Sequence, residues 1–247
     1  MGIVIRVIKE HEEFQETVSL QREVWGFSET DIVPTRLMTV STHIGGLVLG
    51  AYDGEEMIGF SLALPGVKPG GKAYWHSHMT GLAPAFQGQG IGRRIKFRQR
   101  EEAQRAGIDL IEWTFDPLEI RNSYFNLERL GVVVRSYVPN QYGITSSRLH
   151  GGLPTDRLMA EWWLRTPRVE NAVGGGQLPR ASKAERIRIL ANIGELKKSD
   201  AKAAAEAQSE AGAQFEKWFG QGYAVTGFEL DDEFGTYLLE SFESRPE

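Results

Sequence analysis

Between Leu82 and Arg94 the chain reads Leu-Ala-Pro-Ala-Phe-Gln-Gly-Gln-Gly-Ile-Gly-Arg-Arg, and this stretch restricts the fold more than any other. An apolar run from Tyr74 to Leu82 predicts a strand before it, and a helical pattern from about Ile91 to Ala106 follows. Gly88, Gly90 and Gly92 allow backbone N–H groups to approach an anion closely. The helix start adds N–H groups without intrahelical acceptors and the positive end of the helix dipole. Arg93 and Arg94 in the first turn bring charge-assisted donors for phosphate oxygens. Such a segment is suited to cradle a pyrophosphate; the plainer alternative is a tight strand-to-helix turn that binds nothing.

Three nucleotide folds use turns of this kind. A P-loop requires Gly-Lys-Ser/Thr, which does not follow here. A Rossmann fingerprint requires a third small residue where Arg93 stands, and that side chain would obstruct close packing of helix on strand. Glu112 does lie about twenty residues on, where a ribose-binding acid is expected, but the turn sits in mid-chain after an antiparallel hairpin.

The flanking pattern supports that placement. Ile3 to Ile8 reads as a short strand, His11 to Trp25 as an amphipathic helix, and about Pro34 to His43 as a second helix capped by Thr30 or Asp31. Leu47–Tyr52 and Met57–Leu64 flank the turn Asp53-Gly54-Glu55-Glu56, a strong hairpin signal. Downstream, Ile108–Phe115 predicts a strand, about Glu119 to Leu130 a helix closed by Gly131, and Val132–Val134 and Leu158–Leu164 two more strands. The order β-α-α-β-β-β-α-β-α-β-β is that of a mixed α/β chain, antiparallel at the start with parallel crossovers around the glycine turn. Thr166 to Ser182 is rich in Pro, Gly and Asn and reads as a linker or long surface loop. Beyond it, Ser199 is expected to cap an Ala-rich helix striped by Ala204, Ala207, Ala211, Phe215 and Trp218. A hairpin around Asp231-Asp232 is expected after it.

The pattern Gln87-x-x-Gly90-x-Gly92 resembles motif A of the GNAT acetyltransferase superfamily, with Leu82-Ala83-Pro84 as the apolar-x-Pro strand end before it. Leu47 to Phe60 is similar to the central hairpin of that superfamily, and Asn122 to Gly131 to its second cofactor helix; the resemblance covers roughly residues 3 to 165. More loosely, Trp113 to Trp163, with Gly152-Leu153-Pro154-Thr155-Asp156-Arg157, is similar to a large bacterial GNAT subgroup that implies no substrate. The resemblance implies a central mixed, mostly antiparallel sheet flanked by helices over 1–166, a linker over 167–181 and a helix-hairpin extension over 182–247. It further implies acetyl-CoA as co-substrate without a metal. The pyrophosphate would rest on Gln87, Gly88, Gln89, Gly90, Ile91, Gly92 and Arg93. The pantetheine would run along Thr80, Leu82 and Ala83 like an added strand, and Asn122 would face the pantetheine or the thioester.

Amine acylation needs a proton acceptor for the amine and a donor for the departing thiolate. By the resemblance, the donor is often a Tyr four residues before the closing glycine of the second cofactor helix. Here that position is Leu127, with Tyr124 nearly one turn earlier as a substitute or a core aromatic. His76 stands eleven residues before Gln87, where histone-type members place a catalytic Glu. An imidazole suits proton transfer near neutral pH. His78 is expected on the same face of the strand, together with Tyr74 and Thr80. Glu112 is read as a base, an orienting group for a histidine or a surface carboxylate. A rival reading takes Gly70-x5-His76-x-His78 as the start of a cupin metal motif, but Leu82 and Ala83 stand where its glutamate belongs.

Composition narrows the functions. A formal net charge of −5 gives no global field for nucleic acid or anionic lipid. Zero cysteines remove disulfides, thiolate metal sites and a cysteine acyl-enzyme, so direct attack on the donor is expected. No apolar run is long enough for a membrane span and no signal peptide is visible, so the chain reads as cytoplasmic. The expected activity is N-acyl transfer to an amine, most simply that of a small molecule. The alternative is a catalytically silent acyl-CoA-binding module. The extension is open to three roles: extending the sheet, closing the acceptor site or forming a homodimer contact.

Overall fold

The computed structural model describes residues 2–143, 152–180 and 184–242. These form two compact units, 2–112 and the described residues from 113 onward. The expected end of the linker at 181 and start of the extension at 182 lie outside the described residues.

The first unit contains β1 (Val4–Val7), α1 (His11–Trp25), α2 (Thr35–His43), β2 (Leu47–Asp53), β3 (Glu56–Val67), β4 (Ala73–Leu82) and α3 (Ile91–Arg105). It ends within β5 (Leu110–Phe115). Its strands are ordered β1-β2-β3-β4-β5. The first four pair antiparallel, and β4 pairs parallel with β5 after the α3 crossover. The Asp-Gly hairpin forms as expected: Gly54 takes φ of 62° and Asp53 pairs with Glu56. Neither Thr30 nor Asp31 caps α2. Pro34 occupies the cap position, its extended ψ of 154° feeding the helix without a side-chain bond.

Successive residues of a strand point to opposite faces, which separates the layers. Phe60 and Leu62 of β3 join Phe14 and Leu20 of α1 and Met38 of α2 in one apolar cluster. Between them, Ser61 faces the other way and accepts from Gln99 Nε2 of α3 at 3.2 Å. Thus α1 and α2 cover one face of the strands, and α3 the other.

The second unit begins with the remainder of β5 and continues through α4 (Ile120–Tyr124), a π-helical segment Phe125–Leu130, β6 (Val133–Val138) and β7 (Arg157–Trp163). Then come α5 (Pro167–Val173), β8 (Glu185–Leu190), α6 (Ile193–Ser199), α7 (Ala201–Gly220), β9 (Tyr223–Leu230) and β10 (Phe234–Ser241). Its strands run in the order β7-β6-β9-β10-β8, antiparallel throughout. The stretch expected as an irregular loop therefore contains α5, started by Thr166 as N-cap and by Pro167 in the first turn. The cap of α7 is Asp200, which accepts from Ala203 N at 3.0 Å, not Ser199, which ends α6. Val225 of β9 pairs with Val134 of β6, so sheet extension is the role of the C-terminal hairpin that the strand pairing shows.

Tyr237 anchors this unit. Its fully buried ring packs edge-on to Phe215 of α7 and Phe228 of β9, and its hydroxyl donates to Pro117 O at 2.6 Å.

Candidate functional site

In the first unit the chain leaves β4 at Leu82 and makes one 3-10 turn, Pro84–Phe86. Gln87 Nε2 donates to Leu82 O at 2.9 Å and Gln89 Nε2 to Ala85 O at 3.0 Å, so both glutamine side chains tie the turn back to its entry. Gly88 and Gly90 have φ of 76° and 78°, the left-handed region that favours glycine. Gly92 is different. Its φ is not positive, and a Cβ built there meets no heavy atom within 4 Å. Nothing in the fold demands glycine at that position, and its lack of a side chain keeps the approach to the helix start open. Gly90 provides no side-chain cap, and amides of a first helical turn have no intrahelical acceptor. These features fit a pyrophosphate docked on backbone N–H groups.

The two arginines divide. The Arg93 guanidinium lies over the Phe97 ring, 4.8 Å from its centroid. Arg94 Nη2 donates to Ile3 O at 2.6 Å, so this arginine, expected at the mouth, ties α3 to the N-terminal strand region instead.

The ladder between β4 and β5 has two rungs, Trp75↔Ile111 and His76↔Glu112. Among the described residues, Ser77 to Leu82 have no further strand partner on that edge, which leaves backbone donors and acceptors for an extended ligand. The strand is also irregular. Leu62 pairs with Met79 and Ala63 with Ser77, so His78 is an extra residue in β4. This bulge corrects the expected facing of Thr80. Instead of lining a surface with His76 and His78, Thr80 turns toward α3, its hydroxyl 3.0 Å from Ser61 Oγ. Met79 consequently packs with the α1 side of the strand, and Gly81 admits the Trp25 ring so closely that a Cβ would lie 2.6 Å from it. Trp25 itself stacks on Phe27 with centroids 5.5 Å apart.

His76 and His78 do share a face, their ring centroids 6.2 Å apart. Burial, reinforced by His78, Lys96 and Lys68, pushes His76 down to about 4. Desolvation by the surrounding protein also lowers His78, although solvent reaches part of its ring. The His76 ring is therefore held in its neutral form near neutral pH. Glu112 is 5% exposed and accepts from Lys68 Nζ at 2.6 Å, which removes the surface-carboxylate reading. Lys68 also lies over the Tyr74 ring at 4.6 Å, linking the carboxylate to the start of β4.

On the opposite face of β4, Lys96 is 6% exposed and donates to Ser77 Oγ at 2.8 Å and to Gln99 Oε1 at 3.2 Å. Burial pushes it down to about 7. Sequence reasoning passed over Lys96 and Lys68. The visible signal for Lys96 is its place with Gln99 and Ala103 at i, i+3 and i+7, the spacing of an inward helix stripe.

In the second unit Asn122 is exposed on α4, and Phe125 begins the π-helical segment. That change of winding alters the expected relation of Tyr124 to Leu127. Leu127 is 0% exposed, whereas Tyr124 is half-buried with the Arg129 guanidinium 5.3 Å from its ring centroid. The five-residue spacing of that contact is the π-helical one. Leu127 is thus a core side chain, and Tyr124 does not take over its direction.

Among the described residues no group of three or more His, Asp or Glu side chains is arranged to hold a metal ion, and no helix is long and apolar enough to cross a membrane.

No family model and no curated protein matches the sequence. Solved structures match the fold. The ribosomal-protein-S18-alanine N-acetyltransferase from Escherichia coli aligns at a TM-score of 0.53 and 13% identity, over 67% of this chain and 96% of that one. Naa50 of Arabidopsis thaliana, solved with the bisubstrate analogue CoA-Ac-MVNAL, aligns at 0.51 and 11%, over 65% and 98%. Aminoglycoside 6'-acetyltransferase type Ii aligns at 0.51 and 18%, over 66% and 98%. The bulged, half-paired β4 leading into an uncapped glycine helix start is found in a chain that aligns with nearly the full length of these enzymes, and the chain has the GNAT acetyltransferase fold.

Proposed function

We propose that the protein is an acyl-CoA-dependent N-acyltransferase that moves an acetyl group from acetyl-CoA to an amine by direct attack. The observation that carries this reading is Gly92, a helical glycine that the fold itself does not require, at an uncapped helix start. The edge of β4 from Ser77 to Leu82, which has no further strand partner among the described residues, supports it by offering a strand-like partner for the pantetheine arm. In this reading Gln87 to Arg93 hold the pyrophosphate through backbone amides, and Thr80, Leu82 and Ala83 contribute main-chain contacts. For Asn122 the resemblance implies contact with the pantetheine or thioester, and Tyr124 is proposed only as a substitute donor for the thiolate in place of Leu127.

His76 is the proposed proton acceptor. Its neutral ring offers a lone pair; because burial pushes the group down to about 4, it is too weak a base to strip a free ammonium and suits only the more acidic proton of the nitrogen already attacking the thioester. Glu112, opposite His76 on the ladder and engaged by Lys68, is proposed as a positioning residue and is not itself the base. With zero cysteines the acyl group has no thiol to rest on, which favours a single displacement: the new C–N bond forms as the C–S bond breaks.

A small-molecule amine is the proposed acceptor class, in line with the aminoglycoside enzyme among the structural neighbours; Naa50, with its peptide-bearing analogue, represents the other class. Release of free thiol from acetyl-CoA across a panel of small amines and peptide N-termini tests the activity. Amine-dependent release is expected with at least one small amine. Saturable acetyl-CoA binding with no release from any acceptor would leave the silent binding module as the better account.

A further inference from the structure

The polar side chains buried between α3 and β4 form a connected set that the proposed chemistry does not use. Lys96 Nζ donates to Ser77 Oγ at 2.8 Å and to Gln99 Oε1 at 3.2 Å. Gln99 Nε2 donates to Ser77 Oγ at 3.1 Å and to Ser61 Oγ at 3.2 Å. Ser61 Oγ is 3.0 Å from Thr80 Oγ1. Lys96, Gln99, Ser61 and Ser77 are all buried, so these bonds have little water to compete with them.

The placement of the set is informative. Ser77 and Thr80 flank His78, the extra residue of the β4 bulge, and both are held from the α3 side. A regular strand would alternate, and residues three apart could not face the same helix. The bonds from Gln99 to Ser77 and, through Ser61, to Thr80 therefore stabilise the bulged register against the regular one. That register turns Met79 and Gly81 toward α1, and it lies on the edge from Ser77 to Leu82, which has no further strand partner among the described residues.

We infer that Lys96 and Gln99 are positioning residues for the cofactor edge of β4: they clamp both limbs of the bulge and so fix the backbone on which the pantetheine arm is proposed to dock. An apolar pair would pack there at lower desolvation cost, because burying an ammonium is expensive. What Lys96 and Gln99 provide instead is directional bonding to one register. The inference rests on the acyl-CoA reading for its functional half and on geometry alone for its structural half.

The test uses Lys96→Met and, as an independent break in the same clamp, Gln99→Met in the full chain. Hydrogen exchange in the segment His76–Leu82 is expected to rise about tenfold in each variant, with exchange in α1 unchanged. Acetyl-CoA affinity is expected to fall roughly fivefold or more as the docking edge loses its fixed geometry. For Lys96→Met the Tm at pH 6 is expected to hold or rise, because a buried charge has been removed. A merely structural role would lower Tm and affinity together. Unchanged exchange in His76–Leu82 in both variants would overturn the clamp. Faster exchange with unaltered affinity would overturn its link to the cofactor. If the wild type fails to bind acetyl-CoA, the functional reading falls while the exchange measurement still decides the clamp.

Discussion

His76 and Glu112 stand opposite each other on the second and last rung of the β4–β5 ladder, and the carboxylate is held by Lys68 Nζ at 2.6 Å. Neighbours in register on parallel strands share a face, so a neutral imidazole sits beside a charge pair just where β4 becomes free of its partner. Burial is the main cause that lowers the candidate base, and the Lys68 ammonium adds to it.

His76→Gln is expected to lower kcat about 10- to 100-fold while acetyl-CoA affinity changes less than about twofold. Because His76 is held at about 4, the wild-type rate should show no inflection near pH 6.5 from this group. Steady-state rates from pH 5 to 9, with isothermal titration of acetyl-CoA, check both statements. A wild-type inflection near 6.5 that disappears in the variant would show that the ring titrates normally and is not desolvated in the working enzyme.

Lys68→Met should destabilise the fold by about 1–2 kcal/mol, since Glu112 remains buried without its ammonium while Lys68 itself is partly solvated. Adding Glu112→Gln should recover part of that loss. Urea unfolding of the two single variants and the double variant gives the coupling directly, and additive losses would mean that the pair contributes nothing specific.

Lys96 makes stability depend on pH in a defined direction. Its folded value of about 7 lies below the ordinary 10.5, so between these limits the unfolded chain binds more protons and stability rises with pH. Below about 7 the cost is fully present, and above about 10.5 it is gone. The wild type should therefore gain on Lys96→Met by more than about 1 kcal/mol between pH 7 and 9.5 in urea unfolding. Parallel pH profiles for the two proteins would contradict a desolvated ammonium at this site.

Leu127→Tyr is expected to cost about 1–3 kcal/mol, because Leu127 is fully buried and the added phenol overpacks the π-helical segment. Tyr124→Phe, by contrast, should leave Tm within about 2 °C, since the ring is half-buried and its packing is retained. If Tyr124 serves the thiolate, kcat falls in that variant at unchanged acetyl-CoA affinity. Unchanged kcat would leave the leaving group to solvent.

What could be read from the sequence was local. α1 follows from a helical stripe, the β2–β3 hairpin from Asp53-Gly54, and the turn from glycines that meet a helix start. The bulge at His78 was not legible, because one extra residue leaves no compositional trace while reversing every later side chain, Thr80 included. The switch to π-helix after Tyr124 was hidden in the same way, since the helical spacing of apolar residues continues through it. β8 lay beyond a stretch read as linker, although Ile187 and Ile189 do alternate with charged residues. Partnerships between distant residues were out of reach: Lys68 with Glu112, 44 positions apart, and Lys96 with Ser77, 19 apart.

The central claim is that the turn Gln87 to Gly92 receives the pyrophosphate of an acyl-CoA. Calorimetric titration of acetyl-CoA into the wild type and into Gly92→Val tests it most directly. A Cβ at Gly92 meets no protein atom within 4 Å, so the variant should fold with nearly unchanged Tm. Saturable binding to the wild type and a loss of about tenfold or more in affinity for the variant are expected, because the branched side chain occupies the approach to the first-turn amides. Equal affinity of the two proteins, or binding of NAD without binding of acetyl-CoA, would contradict it.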